Sequence, residues 1–173
     1  LVYLPFERSH QVLSVLNQVS SEFIFHCGDI EPGQYGNVWV RGFSREGFRD
    51  SLYQSDGVIC NAGFELASEA LVLGRKLLVK PLHGQMEQAS NALALTQLNL
   101  GVSTHRIDQD SIHRFMRDGQ ACQVNYPDTA KLLTQWLRQY PQESLPRLVE
   151  RAWAGVNLPL RPAIDVPAHR RIS

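Results

Sequence analysis

Short, nearly continuous apolar runs recur along the chain, separated by longer stretches with helical period. The runs cover residues 1–4, 23–27, 38–40, 57–60 and 76–80, with a weaker one at 103–107. Nearly continuous apolar character over so few residues predicts strands buried on both faces. Within residues 10–19, Val12, Val15, Leu16 and Val19 fall on one helical face, with Ser9 in front as a cap. Ser44 stands in the same way before a short helix over 45–54. Further helices are predicted over 64–73, 86–100, 108–118, 128–139 and 144–153, with Gly74 and Gly101 where C-terminal glycines belong. Segment 28–37, with three glycines and one proline, reads as a plain surface connection.

Strands and helices alternating at this spacing predict βαβ units and a parallel sheet. Right-handed crossovers then make it a doubly wound, Rossmann-like α/β fold. The 173 residues suffice for one domain, expected over 1–156. The tail, 157–173, holds three of the nine prolines without helical period and is expected to be disordered. Seventeen basic and seventeen acidic residues cancel, which argues against a nucleic-acid partner. No apolar run approaches the roughly 20 residues of a membrane helix. Cys27, Cys60 and Cys122 are too few and too scattered for a disulfide framework or zinc cluster, so reduced thiols and a cytoplasmic location are expected. The chain opens on Leu1 without an initiator methionine, and is expected to be a piece of a longer protein.

In open α/β sheets ligands sit beyond the carboxyl ends of the strands. The first such loop, Pro5-Phe6-Glu7-Arg8-Ser9, has no glycine, and neither GxGxxG nor a P-loop occurs in the chain. In Arg41-Gly42-Phe43-Ser44 the aromatic suits either stacking on a base or the core. In Asn61-Ala62-Gly63-Phe64-Glu65, Gly63 allows close approach or positive φ, and the following helix start suits an anion. Glu65 and Glu69, four apart, share a face and are equally at home as dipole-friendly carboxylates. After Pro81-Leu82-His83-Gly84-Gln85, the residues Glu87, Gln88 and Asn91 cluster on the first turns of one helix. Paired acceptors and donors of this kind read sugar hydroxyls, and they also suit a solvated helix start.

The order Asn61-Ala62-Gly63-Phe64-Glu65-Leu66-Ala67-Ser68-Glu69, a strand, then Pro81-Leu82-His83-Gly84-Gln85-Met86-Glu87-Gln88-Ala89-Ser90-Asn91-Ala92 resembles the donor-binding signature of GT-B glycosyltransferases. It is most similar to the family 28 type, which includes the lipid II-forming N-acetylglucosaminyltransferase. The resemblance implies the C-terminal, donor-binding half of such an enzyme, holding a nucleotide sugar, UDP-sugar by analogy. It implies nucleotide contacts from Arg41, Phe43, Ser44, Asn61, Ala62, Gly63, Phe64, Ser68 and Glu69, with Glu69 on the ribose. It implies sugar contacts from His83, Gly84, Gln85, Glu87, Gln88 and Asn91. No metal and no further cofactor are implied. The acceptor site and catalytic base would come from an N-terminal half of the same protein, through which a peripheral membrane association is expected. The piece alone is expected to transfer no sugar.

The family places a Gly-rich loop after its first strand, where this chain has residues 5–9, and Glu65 near a diphosphate must turn away or pair with a cation such as Arg8. Two other readings share the fold: a UDP-sugar epimerase- or hydrolase-like half, and a non-catalytic nucleotide-sugar-binding regulatory domain.

Overall fold

The computed structural model describes residues 1–140 and 142–156. The elements in chain order are β1 (Val2–Tyr3), α1 (Ser9–Leu16), β2 (Phe23–His26), β3 (Gly33–Tyr35), β4 (Val38–Arg41), α2 (Arg45–Gln54), β5 (Gly57–Asn61) and α3 (Phe64–Val72). They continue with β6 (Lys76–Lys80), α4 (Met86–Gln97), β7 (Val102–Ser103), α5 (Gln109–Asp118), α6 (Thr129–Gln139) and α7 (Leu145–Trp153).

The seven strands form one sheet in the order β3-β4-β2-β1-β5-β6-β7, parallel throughout except for β3. The parallel strands alone run 3-2-1-4-5-6 by chain position, the doubly wound Rossmann order. The chain builds outward from β1 through β2 to β4, then α2 carries it back to lay β5 on the other side of β1. The β1–β5 pair, in register at Val2↔Ile59 and Tyr3↔Cys60, is therefore the topological switch point.

The continuous apolar strands split their side chains between two layers. Val2, Leu4, Phe25, Val38, Val40, Ile59 and Leu78 pack with Val12 and Leu16 of α1 and Ile112 and Phe115 of α5. Val58, Cys60, Leu77 and Val79 pack on the other face with Leu52 of α2, Ala67, Ala70 and Leu71 of α3, and Ala92 of α4. Successive strand residues point to opposite faces, so a strand covered on both sides must be apolar at every position.

Several local expectations are corrected. Segment 28–37 contains β3, which pairs antiparallel with β4 through Gln34↔Trp39 and Tyr35↔Val38. Its Gly-Gln-Tyr sequence covers an edge and carries no apolar run. Asn37 closes this hairpin against the end of α1, donating from Nδ2 to the carbonyls of Leu16 (3.1 Å), Val19 (2.8 Å) and Ser21 (2.5 Å). Ser9 is the first residue of α1 and not its cap; Arg8 holds the cap position without a side-chain bond. Ser44 does cap α2, its hydroxyl accepting from the Gly47 N–H at 3.2 Å. Gly74 turns left-handed after α3 at φ 64°, as a C-terminal glycine should. Gly101 does not: α4 ends at Gln97, and Asn99 takes the left-handed conformation at φ 53°. What Gly101 supplies is room, since a Cβ there would stand 3.1 Å from the Leu77 carbonyl oxygen. The sixth strand is β7, earlier and shorter than 103–107.

The tail expected to be disordered lies outside the described residues. Among the described residues no helix is long and apolar enough to cross a membrane.

Candidate functional site

The carboxyl ends of β1, β4, β5 and β6 deliver four loops to one edge of the sheet. At the end of β5, Asn61 is buried and donates from Nδ2 to the Lys80 carbonyl at 3.1 Å, while its Oδ1 has no partner. Ala62 is also buried, and its N–H bonds the same carbonyl at 3.3 Å. Gly63 then caps α3 with φ −71° and ψ 153°, so positive φ is not its reason for being there. A Cβ at Gly63 would meet nothing within 4 Å, and no side chain caps α3. The first amides of α3 are left without a side-chain acceptor beside an open surface, the arrangement that receives an anion. Phe64 and Glu65 are exposed there, and Ser68 Oγ donates back to the Phe64 carbonyl at 2.8 Å.

The loop after β6 is tied to this one. Asn91 on α4 donates from Nδ2 to the Ala62 carbonyl at 3.0 Å. Gln88, 8% exposed, accepts at Oε1 from the Leu82 N–H at 3.0 Å and so fixes the loop's shape. His83, Gly84, Gln85 and Glu87 project into solvent beside them, and no side chain caps α4.

The loop after β4 rests on a buried network. His26 and Ser51 are 1% and 0% exposed. The His26 Nδ1–H donates to the Gly42 carbonyl at 3.2 Å, leaving Nε2 to accept from the Ser51 hydroxyl at 2.9 Å. That hydroxyl shares its proton with the Gly47 carbonyl, to which it donates at 2.7 Å, and its oxygen accepts from Arg41 Nη1 at 3.1 Å. Burial, followed by the nearby Arg41 charge, lowers the His26 pKa, while its bond to Gly42 opposes the shift. A neutral imidazole out of reach of solvent makes Ser51 and His26 a structural pair and not a nucleophile with its base. Above them the Phe43 ring, 63% exposed, stands edge-on to Tyr3 with centroids 6.1 Å apart. It lies over Gly28, where a Cβ would come within 2.8 Å of the ring.

Ser68 and Glu69 face Arg45, Phe48 and Arg49 across a cavity of about 680 Å³ between α2 and α3. Arg41 does not join them. Arg41 lines a second cavity of about 610 Å³, together with Glu22, Gln54, Gly57 and Lys76 at the amino-terminal side of the sheet. A nucleotide has less reason to sit there, because helix N-termini and loop amides gather at the opposite edge.

Sequence reasoning missed two residues at the switch point. Lys80, the last residue of β6, forms an ion pair with Glu7 of the loop after β1. Arg8, expected to serve Glu65, makes no ion pair among the described residues. The signal for Glu7 and Lys80 lay only in topology, since they are 73 residues apart. The thiols offer no ready nucleophile: burial pushes Cys60 up to about 12 and raises Cys27 and Cys122 as well.

The sequence model of glycosyl transferase family 1 matches residues 1–118, which run from β1 to the end of α5. No curated protein matches the chain. Among solved structures it is similar to the glycotransferase of kitacinnamycin, at 18% identity and a TM-score of 0.53, over 68% of this chain and 33% of that one. It is similar to the glycosyltransferase SnogD from Streptomyces nogalater at 23% identity and a TM-score of 0.50, over 68% and 34%. The spinosyn forosaminyltransferase SpnP follows at 13% and 0.54, over 87% and 42%. The chain therefore spans about a third of the length of the first two. At these identities the likeness carries the fold alone, a Rossmann-like α/β half of the GT-B kind. The family match takes in both loops of the site and more than half of the sequence, and on it the chain belongs to glycosyl transferase family 1.

Proposed function

We propose that this chain is the donor-binding half of a glycosyltransferase and holds a nucleotide diphosphate sugar at the carboxyl edge of its sheet. The observation that carries the reading is the bond from Asn91 to the Ala62 carbonyl, which sets the uncapped starts of α3 and α4 side by side at the switch point. A diphosphate placed there meets free backbone N–H groups and the positive ends of two helices, which stabilise its charge without a metal. Glu69, on the wall of the α2–α3 cavity, is the acceptor pair for ribose hydroxyls, and Phe43 with the cap of α2 at Ser44 receives the base. His83, Gly84, Gln85 and Glu87 face the sugar. The likeness of the signature to the family 28 type supports uridine as the nucleoside.

The reaction itself needs an acceptor hydroxyl about 3–3.5 Å from the anomeric carbon and a base in hydrogen-bond reach. In this reading both come from a further half of the protein, in keeping with a chain that spans a third of its solved relatives. Titration calorimetry tests the donor half. UDP and a UDP-sugar are expected to bind more tightly than ADP or GDP. Equal affinity for all three overturns the uridine assignment, and no binding of any of them overturns the donor site.

A further inference from the structure

We propose that Lys80 is the diphosphate-binding cation of the switch-point crevice, and that Glu7 is a resident counter-ion which the incoming anion displaces. The inference rests on the donor reading above and assigns charge chemistry to a place that reading leaves empty.

Lys80 closes β6, beside Asn61 at the end of β5, in register with it. Its carbonyl holds both the Asn61 amide and the Ala62 N–H, so its backbone is fixed against the loop that starts α3. Glu7 belongs to the loop after β1, on the other side of β5. The Glu7–Lys80 pair thus spans the end of β5, across the mouth of the crevice where β1 and β5 diverge.

The loop after β1 offers a phosphate only the Arg8 side chain and the start of α1, which no side chain caps. It lacks glycine, and the Glu7 N–H is spent on the Leu4 carbonyl at 3.0 Å, closing a turn. The Arg8 carbonyl accepts from the Gln11 and Val12 N–H groups at the start of α1, and among the described residues Glu7 is the charged group of this loop that holds an ion pair. Yet the surroundings favour negative charge: the ammonium of Lys80, the uncapped N-terminus of α3, and open space at Gly63. Glu7 is the group that now answers this field.

The two partners are unequal in the way a displaceable counter-ion requires. Lys80 is anchored at the end of β6, which is paired on both sides, and is only 15% exposed, whereas Glu7, 23% exposed, sits on a short loop next to the exposed Phe6. A diphosphate gives the ammonium two charges in place of one and adds hydrogen bonds to α3, so exchange is favourable while Glu7 swings into solvent.

The test turns on sign. Glu7→Gln and Lys80→Met break the same ion pair, so a purely structural pair predicts similar losses of melting temperature and no opposed change in affinity. Displacement predicts opposite effects on ligand. Calorimetry on the full chain with inorganic pyrophosphate, UDP and uridine is expected to show UDP and pyrophosphate binding about tenfold weaker in Lys80→Met, from one lost charge-assisted contact. Binding is expected to be several-fold tighter in Glu7→Gln, with uridine unchanged in both. Lys80→Arg is expected to retain affinity. If Lys80→Met does not fold, Glu7→Gln and Lys80→Arg still decide. UDP affinity unchanged in Lys80→Met, or weakened in Glu7→Gln, overturns the inference while leaving the donor site intact. Absence of UDP binding in every form, wild type included, removes the donor site and this inference with it.

Discussion

The Nδ2 atom of Asn91 lies 3.0 Å from the carbonyl oxygen of Ala62, joining the loop that starts α3 to the helix that follows β6. Asn91 was read from sequence as a sugar contact; in the fold its amide nitrogen is a strut between two loops. Replacing it with alanine leaves a part-buried carbonyl unpaired, at a cost of about 1–3 kcal/mol. Asn91→Ala is therefore expected to weaken UDP and UDP-sugar alike and to lower the melting temperature. Loss of sugar discrimination with UDP binding unchanged would return Asn91 to the sugar itself.

Glu69 gives a cleaner readout. It is exposed on the wall of the α2–α3 cavity, and its carboxylate makes no hydrogen bond or ion pair among the described residues; its backbone carbonyl accepts from the Leu73 N–H. If its carboxylate accepts two ribose hydroxyls, Glu69→Ala is expected to lose on the order of 2 kcal/mol of nucleotide binding at unchanged stability. Paired calorimetry and thermal melts check both halves. A variant that binds normally, or one that unfolds, refutes the assignment.

Gly28 and Phe43 form a second testable pair. The ring rests where a Gly28 side chain would be, and the Cβ of an alanine would lie 2.8 Å from Phe43 Cε2. Gly28→Ala is expected to swing the ring away at little cost in stability, because the clash meets the far end of a rotatable side chain. If Phe43 stacks on the base, Phe43→Ala costs about 1–3 kcal/mol of binding, and Gly28→Ala weakens nucleotides in the same direction. Calorimetric titration of each variant with UDP and with uridine reads the effect, since both ligands carry the base. Normal affinity in both variants assigns Phe43 to packing.

Much of this arrangement is legible in the sequence. The stretches 23–25, 58–60 and 77–79 are apolar at every position because helices cover both faces of their strands, and this makes them stand out in the sequence. β3 stayed hidden because an edge strand of Gly33, Gln34 and Tyr35 packs on nothing that demands apolar character. Asn61 to Asn91 were found as a group through the family signature, but their division of labour was not. That Gln88 and Asn91 spend a polar atom on loop backbone follows from bonds spanning 6 and 29 residues. Glu7 and Lys80 escaped notice for the same reason, since only the strand order β1-β5-β6 brings them together.

His26 makes stability depend on pH. Burial holds its folded pKa below the ordinary 6.5, so the unfolded chain takes up a proton that the folded one resists. The contribution is fully present above pH about 6.5 and is lost as the pH falls through that value toward the lower folded pKa. Urea midpoints are expected to drop between pH 7.5 and 5.5, with a smaller drop in His26→Gln. Equal pH slopes in the two proteins would contradict the assignment.

The central claim is that a nucleotide diphosphate binds at the carboxyl edge of the sheet, beside the starts of α3 and α4. The most direct measurement is an amide NMR titration of the chain with UDP. The account predicts the largest shifts at Ala62, Gly63, Phe64 and Glu65, joined by His83 to Glu87 when a UDP-sugar replaces UDP. Shifts concentrated instead at Glu22, Gly57 and Lys76, around the cavity on the amino-terminal side of the sheet, would contradict it.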